Sequence, residues 1–302
     1  MKFTLEYPSE FASASEAFLT PDAIRTIVRR AEAAGFGAVA VSEHPAPSVK
    51  WRRNGGHDTL DPVAALSFMA GLTETITLMT NLMVLPFRNP YMAAKALASI
   101  DVVSGGRLIV GAGVGYLRSE FSAVGVEFER RGRLLDESLA ALSAIWTAPE
   151  EPVRGADFAA VGPVWTQSPV QKPHPPIWIG GNSVAARRRV VEYGSGWMPL
   201  IAPPTVASSI GTQALTDVIE FGAAVCELGA QLEAAGRDPS TVDVQIEQHL
   251  VDLSDAGAVS AVVDGLAELE CKGATWAVVH VDASSPEASV DYIEAFAENF
   301  IR

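Results

Sequence analysis

The chain has 302 residues, 48% of them hydrophobic, and a net charge of −14 from 36 acidic against 22 basic residues. That apolar content suffices for one large core, read here as a single domain over residues 1–302. The acidic balance disfavours nucleic acid and anionic membrane as partners, because both would be repelled.

Short apolar or β-branched runs alternate with segments of helical period along the whole chain. The first run is Lys2 to Tyr7. A helix follows from a Thr20 cap, with Pro21 at its first position, to Ala34, and Gly35 stops it. The second run is Gly37 to Ser42, with its helix from Asp61-Pro62 to about Leu72. The third is Ile76 to Leu85, followed by a helix from Asn89-Pro90 to Val103 that Gly105-Gly106 ends. The fourth is Arg107 to Ala112, with helical pattern from about Gly132 to Trp146. Seven prolines between Pro149 and Pro176 forbid regular helix across 148–176, so this stretch reads as an inserted loop with room for a small hairpin.

The fifth run is Ile177 to Ile179, then Gly180-Gly181-Asn182 and a helix to Tyr193. The sixth is Gly196 to Leu200, before a long alanine-rich helix expected over about 211–235. The seventh is Val242 to Glu247, with a helix over about 256–270. The eighth is Ala274 to Val281, with a last helix from about Pro286 to Phe300. Strands alternating with helices imply a parallel sheet with right-handed crossovers, and eight such units favour a closed (β/α)₈ TIM barrel of the α/β class. The basic runs Arg130-Arg131-Gly132-Arg133 and Arg187-Arg188-Arg189 read as solvated helix faces. Cys226 and Cys271 offer neither metal-ligand spacing nor a disulfide framework, which fits a reducing, cytoplasmic setting. No apolar leader follows Met1, and no apolar run is long enough to span a bilayer.

In such a barrel, chemistry sits at the C-terminal strand ends and the loops after them. The polar residues there are Glu6, Ser42-Glu43-His44, Asn81, Gly113 to Tyr116, Gly180 to Ser183, Trp197, Glu247 and His280. His44 reads either as a proton-transferring imidazole or as a structural loop histidine. The loop behind it, residues 45–60, carries Trp51, Arg52, Arg53 and His57 and is long enough to cover a ligand. Gly111-Ala112-Gly113-Val114-Gly115 reads as a backbone that a ligand can approach closely, or as a tight barrel loop. Ile177-Trp178-Ile179-Gly180-Gly181-Asn182-Ser183 leads from strand into helix. It reads as a phosphate site on free N–H groups, or as a plain cap by Asn182 or Ser183. No metal site is expected. The roles of His57, Glu247 and His280 stay open.

Two longer stretches carry a family resemblance. One runs Leu85-Pro86-Phe87-Arg88-Asn89-Pro90, Ala94-Lys95-Ala96-Leu97-Ala98-Ser99-Ile100-Asp101 and Ser104-Gly105-Gly106-Arg107-Leu108-Ile109-Val110-Gly111-Ala112-Gly113-Val114-Gly115. The other is Pro175-Pro176-Ile177-Trp178-Ile179-Gly180-Gly181-Asn182. In order and spacing they resemble the luciferase-like monooxygenase superfamily, and most of all its branch that uses the deazaflavin coenzyme F420.

The resemblance implies a catalytic imidazole at His44 and a non-prolyl cis peptide at Asn81-Leu82 bracing one face of the ring. Glu43, Gly113, Val114, Gly115, Gly180, Gly181, Asn182 and Ser183 are expected to contact the cofactor, and Trp197 to line its pocket. It implies hydride transfer between F420 and a small organic substrate. The alternatives are an FMN-dependent monooxygenase using oxygen, and a cofactor-free or non-redox barrel. The last draws little support, because no strand end carries the lysine of Schiff-base chemistry. A homodimer is also implied. Related sugar-phosphate dehydrogenases place a glutamate where this chain has Tyr116, which argues against that substrate. Most relatives have aspartate where this chain has Glu43.

Overall fold

Each apolar run forms a strand in a computed structural model that describes residues 1–301. The strands are β1 (Lys2–Glu6), β2 (Ala38–Val41), β3 (Thr77–Val84), β4 (Leu108–Gly113), β5 (Ile177–Gly180), β6 (Gly196–Met198), β7 (Asp243–Gln248) and β8 (Trp276–Val279). They pair in chain order, all parallel, and β8 returns to β1 to close the barrel. Closure leaves no strand edge open to solvent or to another chain.

The helices are α1 (Pro21–Ala33), α2 (Val49–Arg53), α3 (Pro62–Ala70), α4 (Pro90–Val103), α5 (Arg118–Ala123), α6 (Arg131–Thr147), α7 (Val184–Tyr193), α8 (Pro204–Ile210), α9 (Val218–Ala234), α10 (Ala256–Cys271) and α11 (Pro286–Phe300). Their starts follow local chemistry. Thr20, Asp61, Asn89, Ser183 and Ser285 each accept a hydrogen bond from a first-turn N–H, and proline follows all of these caps but Ser183. No helix among the described residues is long and apolar enough to cross a membrane.

Three local readings need correction. The helix expected from about 211 is two helices. Gly211 adopts the left-handed conformation that closes α8, and Asp217 caps α9 through the Ile219 and Glu220 N–H groups. The short helix α2 lies in the 45–60 stretch read as a loop, and α5 in a stretch given no element, each too short to display a period. The run Arg187-Arg188-Arg189 is not wholly a solvated face. Arg187 and Arg189 are buried, Arg187 pairing with Glu227 at 3.0 Å and Arg189 with Asp136 at 2.7 Å. Charge paired in this way is tolerated under a helix where a lone charge is not.

The 148–176 insertion holds no helix or strand, only one antiparallel bridge between Arg154 and Ala159. Fully buried Asp101 anchors its end, accepting from Val170 N (2.7 Å), Gln171 N (3.0 Å) and Gln171 Nε2 (2.7 Å).

Two apolar layers result from strand alternation. Val39, Val41, Leu78, Val110, Ile177, Ile179 and Trp197 face the helices. Ala38, Ala40, Met79, Ile109, Trp178, Met198 and Trp276 fill the barrel. Trp178 and Trp276 meet edge to face at 5.4 Å inside it. The same parity turns Glu6, Ser42, Glu247 and His280 toward the barrel axis at the upper rim. In β3 the register with β4 shifts between Thr80 and Met83, and the Asn81-Leu82 peptide within this bulge is cis. The extra residue turns Leu82 into the barrel beside the inner layer.

Candidate active site

His44 follows β2 at the barrel mouth. Its Nδ1 lies 3.2 Å from Oε2 of Glu120, on α5, and the other oxygen of Glu120 accepts from Ala46 N at 3.4 Å. Both side chains are nearly enclosed, at 10% and 3% exposure. A carboxylate at Nδ1 holds the ring proton there and leaves Nε2 as the basic nitrogen. Among the described residues Nε2 makes no hydrogen bond to the protein. The 45–60 loop closes over the imidazole. Trp51 packs at 4.4 Å between centroids, His57 at 5.3 Å, and Tyr116, in the loop after β4, meets it edge-on at 5.9 Å.

Beside this dyad is a second acid. Glu10, in the 3₁₀ turn after β1, is buried and accepts hydrogen bonds from Ser42 Oγ and from Ser42 N. His57 Nδ1 stands 3.8 Å from it. Burial pushes the Glu10 carboxyl up to about 8, against the opposing Ser42 hydrogen bond, and the nearby Glu6 charge adds to the rise. Glu10 therefore keeps a proton at neutral pH within reach of the His44 loop. Burial, and then the His44 charge, push His57 down, so it stays neutral.

This shift has a measurable consequence. The folded chain holds a proton on Glu10 that an unfolded chain with an ordinary value of 4.5 releases. Stability from this group is therefore greatest at acid pH and is lost as pH rises toward 8. At about 1.4 kcal/mol per unit, the loss between about pH 6 and pH 8 is roughly 2 kcal/mol. Glu10→Gln keeps the bond from Ser42 and is expected to flatten the fall of melting temperature across that range. Parallel slopes for variant and parent would count against a protonated Glu10.

On β1, β7 and β8 a further polar group faces inward. Glu6 accepts from Asn81 Nδ2 at 3.4 Å, and its other oxygen lies 3.0 Å from His280 Nε2. Burial opposes charge on His280, but Glu6 and then Glu247 outweigh it and raise its value. Glu247 is pushed up to about 7 by burial first and by Glu6 second.

Several residues expected at the cofactor lie elsewhere. Glu43 points away from the mouth. Its carboxyl accepts from Val84 N at 2.7 Å and pairs with Arg88, so it fastens the end of β3 and is no cofactor ligand through its side chain. Period-2 alternation next to an inward Ser42 and His44 dictates this. Trp197 does not line a pocket either. It is fully buried in the helix-facing layer, and its indole N–H donates to Gly181 O at 2.9 Å.

Asn182 is fully buried and spent as a clamp. It donates to Leu200 O (2.8 Å) and Gln213 O (2.7 Å) and accepts from Leu200 N (2.8 Å). Its own N–H goes to Thr212 Oγ1 at 3.0 Å, and that of Gly181 to Met198 O at 3.1 Å. The anion site expected over Gly180 to Ser183 thus shrinks to the first turn of α7. There Ser183 Oγ caps Ala186 N, and the Val184 and Ala185 N–H groups have no intrahelical partner.

The glycines mostly serve the bulge. A Cβ on Gly180 would stand 2.1 Å from Leu82 Cδ1, and one on Gly113 would meet Leu82 at 3.2 Å. Gly115 has φ +76° and would strike Val84 and Phe121, so the tight-loop reading accounts for it. Val114 packs on the helix-facing core.

Sequence reasoning passed over Glu10, Glu120 and His249. His249 shares the inward parity of Glu247 and was legible. No spacing rule links Glu120 to an imidazole 76 residues away.

Comparison with known proteins bears on the family and the fold. A family profile described as luciferase-like monooxygenase matches residues 1–267. An FMNH(2)-dependent dimethylsulfone monooxygenase of Pseudomonas putida is 27% identical over 291 residues, 92% of this chain and 75% of that protein. An F420-dependent glucose-6-phosphate dehydrogenase of Gordonia bronchialis is 28% identical over 245 residues, 78% of this chain and 66% of that one. The crystal structure of the monooxygenase RslO1 from Streptomyces bottropensis superimposes with a TM-score of 0.78 at 22% identity, covering 100% and 99% of the two chains.

Proposed function

Because the chain belongs to the luciferase-like monooxygenase family, we propose that it is an oxidoreductase transferring hydride between coenzyme F420 and a small organic substrate. The observation that carries this reading is His44 at the mouth, fixed through Nδ1 by Glu120 and keeping Nε2 for a ligand. When bound, the deazaflavin supplies two-electron hydride chemistry, and the protein supplies orientation and electrostatics.

The residues present fit such a group. Asn81 and Leu82 offer a bulged inward platform, and the open N–H groups of Val184 and Ala185 offer a seat for phosphate. His44 Nε2 holds or delivers the proton that accompanies hydride. Glu120 keeps the imidazole in one orientation by holding Nδ1. Trp51 and the 45–60 loop exclude water from the imidazole. Arg52 is spent on Asp58 and Arg118 on Glu129, while among the described residues Arg53 has no ion-pair partner and is free to meet an anionic tail.

The sequence motifs favour the deazaflavin, and the Pseudomonas relative keeps FMN as the competitor. A small-molecule substrate, a homodimer and a cytoplasmic setting belong to the same proposal. The exposed free cysteines Cys226 and Cys271 support a reducing compartment.

The test is titration of the purified chain with F420 and with FMN, read by fluorescence quenching or calorimetry. F420 is expected to bind at least about tenfold more tightly, a difference of about 1.4 kcal/mol. FMN preference would turn the reaction class toward oxygenation. Binding of neither would remove the redox role of His44.

A further inference from the structure

Across the mouth from α7 lies a group of side chains that hydride transfer does not use. In the closed strand order, β8 and β1 stand opposite β4 and β5. Glu247 on β7, His249 just beyond it and His280 beyond β8 each present a ligand-type atom within 4.8 Å of the others. Glu247 and His249 share one parity, and β7 and β8 run paired to their ends with Gln248 beside Val279. The juxtaposition is therefore built into the sheet and not into a loop alone. The imidazoles of His249 and His280 are 5.2 Å apart between centroids.

Glu6 joins them from β1, with Oε2 3.0 Å from His280 Nε2. That nitrogen is buried and its approach to Glu6 lies off the line of a hydrogen bond, so it is left without a hydrogen-bond partner. A carboxylate oxygen and an imidazole nitrogen side by side with no hydrogen bond between them have the arrangement of two ligands on one ion. With bonds of about 2.0–2.1 Å in tetrahedral geometry, ligand atoms lie roughly 3.3 Å apart. The Glu6–His280 separation is already of that size, and the ligand atoms of Glu247 and exposed His249 lie within 4.8 Å of each other and of one on His280.

We propose that Glu6, Glu247, His249 and His280 form a binding site for a divalent transition-metal ion of the zinc type. Two imidazole nitrogens with carboxylate oxygens match zinc and its neighbours, whereas calcium and magnesium favour oxygen alone. The two carboxylates supply the negative charge that offsets the ion. The site uses none of the α7 N–H groups and not His44, and it meets the cofactor platform only where Glu6 accepts from Asn81 Nδ2.

The test is titration of the chelator-treated full chain with Zn²⁺ alone, without cofactor, against a chromophoric chelator. About one ion per chain is expected, with His249→Ala and His280→Asn each weakening binding at least about tenfold. His174→Ala, on the 148–176 insertion against Trp146 and away from the mouth, is expected to leave it unchanged. Circular dichroism on each variant confirms that the barrel is intact, and His249, being exposed, is the safer substitution. No binding, binding indifferent to both His249→Ala and His280→Asn, or binding lost only in His174→Ala would overturn the assignment. Because the readout involves no cofactor, its failure leaves the F420 reading standing, and failure of F420 binding leaves this one standing.

Discussion

His44→Ala is expected to lower turnover by roughly 10²- to 10⁴-fold, the usual contribution of a positioned acid or base. The basis is geometric. His44 is the imidazole after β2 held by a buried carboxylate through one nitrogen, with the other uncommitted. Cofactor affinity should change little by comparison, since the α7 N–H groups and the β3 bulge are untouched. Glu120→Gln should lower turnover by less, because the amide still occupies the space and offers Nδ1 a weaker acceptor. The measurement is steady-state kinetics with the cofactor that binding selects. A fall of less than about threefold in His44→Ala, within the range of ordinary packing effects, would remove the imidazole from the mechanism.

Gly111→Ala carries the largest expected effect on stability. A Cβ at Gly111 would stand 2.0 Å from Thr80 O, 3.1 Å from Leu82 Cδ2 and 3.2 Å from Met198 Sδ. The first of these is backbone, so no side chain can turn aside to make room. Thr80 Oγ1 also donates to Gly111 O at 2.8 Å, tying β3 to β4 where the bulge begins. The added methyl must part the two strands, at a cost of about 3 kcal/mol or more. In a domain of this size that lowers the melting temperature by about 5 °C or more. Leu82 would move with the bulge, so cofactor binding should weaken as well. Gly265→Ala on α10 is the matching control, since a Cβ there meets nothing within 4 Å. It should be neutral or stabilising by up to about 1 kcal/mol. Equal melting temperatures for Gly111→Ala and the parent would mean that β3 and β4 do not pack this closely.

Much of the architecture was legible because it rests on short-range chemistry. Thr20-Pro21, Asp61-Pro62, Asn89-Pro90 and Ser285-Pro286 announce helices through a cap oxygen and a preset φ, which involve only adjacent residues. Alternating apolar runs announce strands, and their number and order announce the barrel. Parity was also available. It turns Ser42 and His44 one way and Glu43 the other, and it sends Trp197 outward behind an inward Met198. The expectation that Glu43 and Trp197 meet the cofactor came from the family resemblance, without that second step. The split of α8 from α9 was misread because alanine-rich helical pattern hid the local signals of Gly211 and Asp217.

The sequence by itself thus determined the order of elements, the barrel class and the rim on which His44 sits, because capping and alternation act between near neighbours in the chain. Only the tertiary structure decided which groups complete the site. Glu120 reaches His44 across 76 residues, and Glu10 reaches Ser42 across 32. Asn182 spends its amide on Leu200 and Gln213 instead of on a ligand. Such contacts depend on barrel closure, which brings strand ends together irrespective of their distance along the chain, and on burial, which decides which carboxyls keep a proton.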